Sequence, residues 1–234
     1  MKRLLLFLVA AGLGLSAQTS VVNTKHNLSA GGTAYSAGAA TTYTQVCKFC
    51  HSPHGANVAD KQLVPLWGHA NTTQLFTMYA SNPNQTLKTT AIDSQPSGPS
   101  LACLSCHDGT VAVNARYTYG DATAPRWTYG NMNDTNASVI ADFDVTTDAK
   151  GNKMGTLKHS IAGETKNDLS TVHPIAIKYD TTANTQLVAN PVGVKLFNGK
   201  VQCASCHDAH GTANSMFLRV SSTNSALCLA CHVK

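Results

Sequence analysis

Cys47-Lys48-Phe49-Cys50-His51 is a five-residue pattern that recurs as Cys103-Leu104-Ser105-Cys106-His107, Cys203-Ala204-Ser205-Cys206-His207 and Cys228-Leu229-Ala230-Cys231-His232. Cys-x-x-Cys-His is the attachment signature of c-type haem. Two thiols at that spacing add to the two vinyl groups of one porphyrin, and the next imidazole then lies under the iron as proximal ligand. Zinc sites and redox disulfides also use Cys-x-x-Cys, but neither asks for His directly after every second Cys. His fills 10 of 234 positions, so His after all the pairs has a chance on the order of one in 10⁵ or less. The four motifs use all eight Cys and leave no thiol for a disulfide, a lipid anchor or nucleophilic catalysis. They predict four c-type haems.

The N-terminus agrees with that chemistry. Lys2 and Arg3 precede an apolar run over 4–15, and Ser16-Ala17 before Gln18 supplies small residues at a cleavage point. This is the pattern of a secretory signal peptide over 1–17 rather than of a membrane span. It puts the mature chain at 18–234, at the cell surface or extracellular, with the periplasm as alternative. No later stretch is apolar enough to cross a bilayer. The chain has 17 basic and 12 acidic side chains. Without Lys2 and Arg3, and with the propionates and ferric cores of four haems added, the total falls to about −1. The basic composition is therefore no argument for a nucleic-acid partner.

Aromatic residues make up only 6% of the chain, and Ala, Ser, Thr, Asn and Gly abound. Such a polypeptide buries little apolar surface by itself. The expected fold is mostly irregular coil with short helices and few strands, wrapped around a stacked haem array. The motifs start 56, 100 and 25 residues apart. This spacing predicts a single tetrahaem domain over 18–234, with two haems in 18–115, a haem-free middle over 116–198 and two haems in 199–234. Each motif should sit on a short helix, with Gly55, Gly109 and Gly211 as terminators. Segments 138–147 and 152–158 flank Asp148-Ala149-Lys150-Gly151 and predict a small hairpin. Cys47 to Gly55 is echoed by Cys203 to Gly211, with the same Cys, His and Gly landmarks.

The second axial ligand decides what such haems do. A bis-histidine iron is closed to small ligands and suits one-electron transfer, whereas a substrate-reducing haem keeps a position open. His26, His54, His69, His159, His173 and His210 remain after the proximal His51, His107, His207 and His232. His54 and His210 lie three residues beyond a proximal His, too near to reach the opposite face of the same porphyrin, so each would serve a neighbouring haem. His69 and His159 are candidates too, or side chains beside a haem edge or propionate. Met78, Met132, Met154 and Met216 read as gap-fillers while spare His exist. Asp142, Asp144, Asp148 and Asn152 lack EF-hand spacing.

The chain resembles the multihaem outer-surface c-type cytochromes of metal-reducing bacteria, in particular the tetrahaem, filament-forming (OmcE-like) kind. The resemblance is carried by Lys25-His26-Asn27-Leu28-Ser29, by the first motif with Ser52-Pro53-His54-Gly55, and by Pro65-Leu66-Trp67. It continues in Leu101 to Thr110, in Asp168-Leu169-Ser170 with His173-Pro174-Ile175, in Gly199 to His210, and in Phe217-Leu218-Arg219. It implies bis-histidine ligation throughout, haems in alternating parallel and T-shaped stacks, and little regular secondary structure. Carried over residue by residue, it makes His26, His54, His173 and His210 the distal ligands. Ser170-Thr171-Val172 stands where Asn-Asp before the His is more usual, which keeps His159 in contention.

Three functional classes follow. The first is an electron conduit, as filament subunit or soluble periplasmic shuttle. The second is a multihaem reductase with one open haem, which would need acid and base groups around it. The third is a structural haem protein. The closed-shell supply of His favours the conduit and no enzyme activity. The expected partners are other copies of the chain in a head-to-tail filament, other multihaem cytochromes as donors, and extracellular acceptors. His26, in a segment followed by Ala30-Gly31-Gly32, is read as reaching a neighbour's haem.

Overall fold

The computed structural model describes residues 20–29, 32, 44–53, 64–82, 84, 86–111, 113, 115, 143–147, 153–211 and 213–233. Most of this is coil. The regular elements are helix α1 (Gly98–His107), hairpin strands β1 (Phe143–Thr147) and β2 (Lys153–Leu157), strands β3 (Ile177–Lys178) and β4 (Lys200–Val201), and single-turn helices α2 (Cys203–Cys206) and α3 (Ala226–Leu229). Short 3₁₀ turns cover Val21–Asn23, Val46–Phe49, Tyr79–Ser81, Ser215–Phe217 and Thr223–Ser225. No helix among the described residues is long and apolar enough to cross a membrane.

Each motif does lie on a helical turn, because Cys-x-x-Cys-His must close on itself. The His51 N–H donates to the Cys47 carbonyl at 2.9 Å, His207 to Cys203 at 3.1 Å and His232 to Cys228 at 2.8 Å. The second motif ends the longest helix, which opens with Pro99 in its first turn, where the missing N–H costs nothing. Gly109 stops α1 at φ +71°, and a Cβ there would stand 2.6 Å from the Leu157 carbonyl oxygen. Glycine is thus required both by the left-handed backbone and by the close approach of β2. The hairpin is antiparallel, with Phe143 opposite Leu157 and Thr147 opposite Lys153. Residues 138–142 and 148–152 of that expectation lie outside the described residues, as do His54, Gly55, Met132, Asp142, Asp148 and Asn152. Gly211 follows α2, but five residues beyond Cys206, with its N–H donating to the Asp208 carbonyl at 2.8 Å.

A small apolar core gathers Phe76, Met78, Leu104, Ala162, Leu169 and Ala176, with Val172 and Ile175 against it. It forms because segment 76–78 runs beside 167–169: Thr77 N–H donates to the Asn167 carbonyl at 2.8 Å and Leu169 N–H to the Thr77 carbonyl at 2.9 Å. On its other side the Gln95 amide completes Phe76, accepting from its N–H at 2.8 Å and donating to its carbonyl at 3.0 Å. The stretch between the second and third motifs is therefore the structural connector of the chain. It also supplies β3, which pairs antiparallel with β4, Ile177 opposite Val201.

The second and third motifs are sewn together by polar contacts. Ser100 Oγ donates to Gln202 Oε1 at 2.5 Å and accepts from the Cys203 N–H at 2.9 Å, all within a buried region. Asp180 anchors a nearby loop: it accepts from Thr90 Oγ1 at 2.5 Å, from the N–H groups of Thr182 at 3.0 Å and Ala183 at 2.9 Å, and pairs with Lys178 at 3.3 Å. These partners, Thr90 foremost, hold its carboxyl well below the usual carboxylate range. A depressed folded-state value means stability that is present above the unfolded value and lost as pH falls. Asp180→Asn should lower the melting temperature at pH 7 and narrow the gap between melting at pH 7 and at pH 3. A variant whose acid sensitivity matches the parent's would refute this role.

Candidate haem centres

Three motif histidines face a histidine from a distant part of the chain. His51 and His210 have ring centres 6.1 Å apart at 22°, His107 and His26 6.1 Å apart at 79°, and His232 and His173 6.4 Å apart at 66°. Two imidazoles binding one metal ion through Nε2, each at about 2 Å, have centres roughly 6 Å apart. The observed spacings fit that requirement.

Proton placement fits as well. His51 Nδ1 donates to the Pro65 carbonyl at 3.0 Å, His207 Nδ1 to Met216 at 2.9 Å, His173 Nδ1 to Pro174 at 3.1 Å and His26 Nδ1 to Ala209 at 3.3 Å. A carbonyl only accepts, so Nδ1 carries the hydrogen in each ring and Nε2 presents a lone pair. Burial pushes His26, His51, His107 and His173 below the ordinary histidine value, which keeps them neutral and able to ligate.

None of the eight Cys is paired in a disulfide. Cys103 and Cys203 hydrogen-bond each other; that bond, with burial adding to it, raises Cys103, and it lowers Cys203 against the opposing effect of burial. Burial pushes Cys50 up to about 11 and Cys106 higher still, with Cys50 acting on Cys106 through space. Cys206 is raised by burial and by nearby Cys231 and Cys228. The third motif therefore bonds the second through Cys203 and lies near the fourth at Cys206, while His210 just beyond it lies near the first.

His69, a rival for a distal position, is 1% exposed and sits elsewhere. Its Nε2 is 3.5 Å from Cys106 Sγ, its Nδ1 donates to the Ala70 carbonyl at 2.8 Å, and Trp67 is tilted against it at 5.9 Å. These contacts place it beside the second motif. His159 is exposed and faces no motif histidine among the described residues. His26 stands against His107 and stacks on Phe217 at 4.4 Å within its own chain, so a neighbour is not required to bring it to a motif. Met78 is buried in the apolar core, whereas Met216 is 76% exposed, with its carbonyl on His207.

Residues 195–234 match the family described as Doubled CXXCH motif. That domain points to a multihaem c-type cytochrome involved in electron transfer, and the Cys-x-x-Cys-His motifs indicate covalently bound c-type haem. The match takes in the third and fourth motifs; the first two lie ahead of it. Among curated proteins nothing matches the chain.

Bound haem supplies a one-electron iron couple. The thiols of Cys47, Cys50, Cys103, Cys106, Cys203, Cys206, Cys228 and Cys231 would tether it, and the imidazoles of the motif histidines would hold its iron. Sequence reasoning had no sign of the carbonyls of Pro65 and Met216 as ring partners. Any residue can supply a carbonyl, so only the folded backbone reveals them.

Proposed function

We propose that the protein is an exported tetrahaem electron carrier with no substrate chemistry of its own, working outside the cytoplasm as the subunit of a cytochrome filament. The supporting observation is the set of histidine pairs 6.1 to 6.4 Å apart, each joining a motif histidine to a remote one. Paired imidazoles at these three motifs would leave no open position there for nitrite, hydroxylamine or a sulfur oxyanion, which favours the electron carrier over the reductase reading. For His207 the proposed counterpart is His54, which lies outside the described residues. Other multihaem cytochromes are the proposed donors, and extracellular acceptors take the electrons.

Assembly is proposed to use the N-terminal segment. If segment 20–29 of one copy docks on His107, Ala209 and Phe217 of the next, every contact it makes is kept, and the head-to-tail union propagates as an open helical fibre. The test is mass spectrometry and a carbon monoxide difference spectrum of the purified holoprotein, with His26→Ala beside it. The parent should carry four haems and bind no carbon monoxide; the variant should bind about one equivalent and sediment as monomer. A parent that binds carbon monoxide at one haem supports the reductase, and a strictly monomeric parent supports the soluble periplasmic shuttle.

A further inference from the structure

Two motif histidines share a backbone arrangement that their flanking residue types do not announce. His51 forms an antiparallel bridge with Trp67, and His207 forms one with Leu218. At the first, the Ser52 N–H donates to the Leu66 carbonyl at 2.7 Å and the Gly68 N–H to the Cys50 carbonyl at 2.8 Å. At the second, the Asp208 N–H donates to the Phe217 carbonyl at 2.7 Å and the Arg219 N–H to the Cys206 carbonyl at 2.8 Å. The register is the same in both. In each, the residue before the bridging partner is left-handed: Leu66 at φ +57° and Phe217 at φ +59°. One residue earlier again, the Pro65 and Met216 carbonyls accept from Nδ1 of the bracketed ring.

The fourth motif has the bridge without the clamp. His232 pairs with Leu187, the Val233 N–H donates to the Gln186 carbonyl and the Val188 N–H to the Cys231 carbonyl, both at 2.8 Å. Gln186 is not left-handed, and neither His232 nor His107 has a ring hydrogen bond to a backbone carbonyl among the described residues. The clamp thus accompanies the two motifs that echo each other in sequence.

We propose that Leu66 and Phe217 are positioning residues whose left-handed backbone turns the Pro65 and Met216 carbonyls onto Nδ1–H of His51 and His207, fixing each ring's tautomer and strengthening it as an iron ligand. Leu66 is 53% exposed, so core packing does not explain its place there. A leucine at positive φ is strained, and strain of this kind persists where surrounding structure holds it for a purpose. A ring whose Nδ1–H is engaged is a more basic ligand, favours ferric over ferrous iron, and so lowers the potential of its site.

The proposal rests on the haem reading of these motifs, and its test separates the two. In the holoprotein, Leu66→Gly keeps positive φ accessible, whereas Leu66→Val adds a β-branch that opposes it. Leu66→Val should raise one of the one-electron midpoints and alter one low-spin electron paramagnetic resonance signal at unchanged haem content. Leu66→Gly should do neither. Unchanged midpoints in Leu66→Val, or equal shifts in both variants, would overturn the clamp. Should Leu66→Val fail to accumulate, the reduced parent decides by nuclear magnetic resonance. Nδ1–H of His51 and His207 should then exchange with deuterium more slowly than that of His232, and equal exchange would overturn the proposal. A parent lacking haem at the first or third motif would defeat the haem reading instead.

Discussion

His210→Ala should open the iron of the first motif, leaving the third motif, three residues away in sequence, six-coordinate. His210 follows His207 by too few residues to turn back over the same porphyrin, and its ring is 6.1 Å from that of His51 and inclined by only 22°. The variant should bind about one equivalent of carbon monoxide in the reduced state and show one high-spin signal when oxidised. Assignment of the affected haem by its Cys47 and Cys50 thioether resonances identifies the site. An effect at the Cys203 and Cys206 thioethers, or none at any site, would show that the pairing is not as described.

The largest effect should come from Cys203→Ala with Cys206→Ala, which removes both tethers of the third motif. Thirteen apolar side chains are buried among the described residues, and five of them are alanine. At about 1.5–3 kcal/mol for each large one, their burial is small beside an ordering cost of about 1–2 kcal/mol per residue. Polypeptide packing alone does not hold this chain together. The third motif also bonds the second through Cys103 and lies near Cys231 of the fourth, with His210 just beyond it near His51 of the first. The double variant should lose protease resistance over the whole chain, and its yield as purified protein should fall to almost nothing. Cleavage confined to 199–234 would show that the remainder folds by its own contacts.

Local chemistry was readable from the sequence. Cys-x-x-Cys-His closes a helical turn wherever it occurs, Gly109 ends its helix because nothing else tolerates φ +71° against the Leu157 carbonyl, and the hairpin follows alternating residues on either side of a turn. The long coil with scarce strands follows from a composition poor in large apolar groups. What could not be read is which remote ring meets which motif. No periodicity relates His51 to His210 or His107 to His26, since such contacts arise only when the third motif packs between the others. His69 shows the same limit from the other side. Its sequence setting does not announce its burial or its place beside Cys106, which only the folded chain reveals. The left-handed backbone at Leu66 and Phe217 has no signature either, because leucine and phenylalanine are ordinarily poor choices for it.

The meeting of His51 with His210 also orders events in time. A ribosome makes His51 early and its partner 159 residues later. The first motif therefore stays unfinished while most of the chain is still being made, and the loop that closes it spans about two thirds of the polypeptide. Contacts so far apart make for slow folding. A truncation that removes His210, near the C-terminus, should therefore cripple the site closest to the N-terminus.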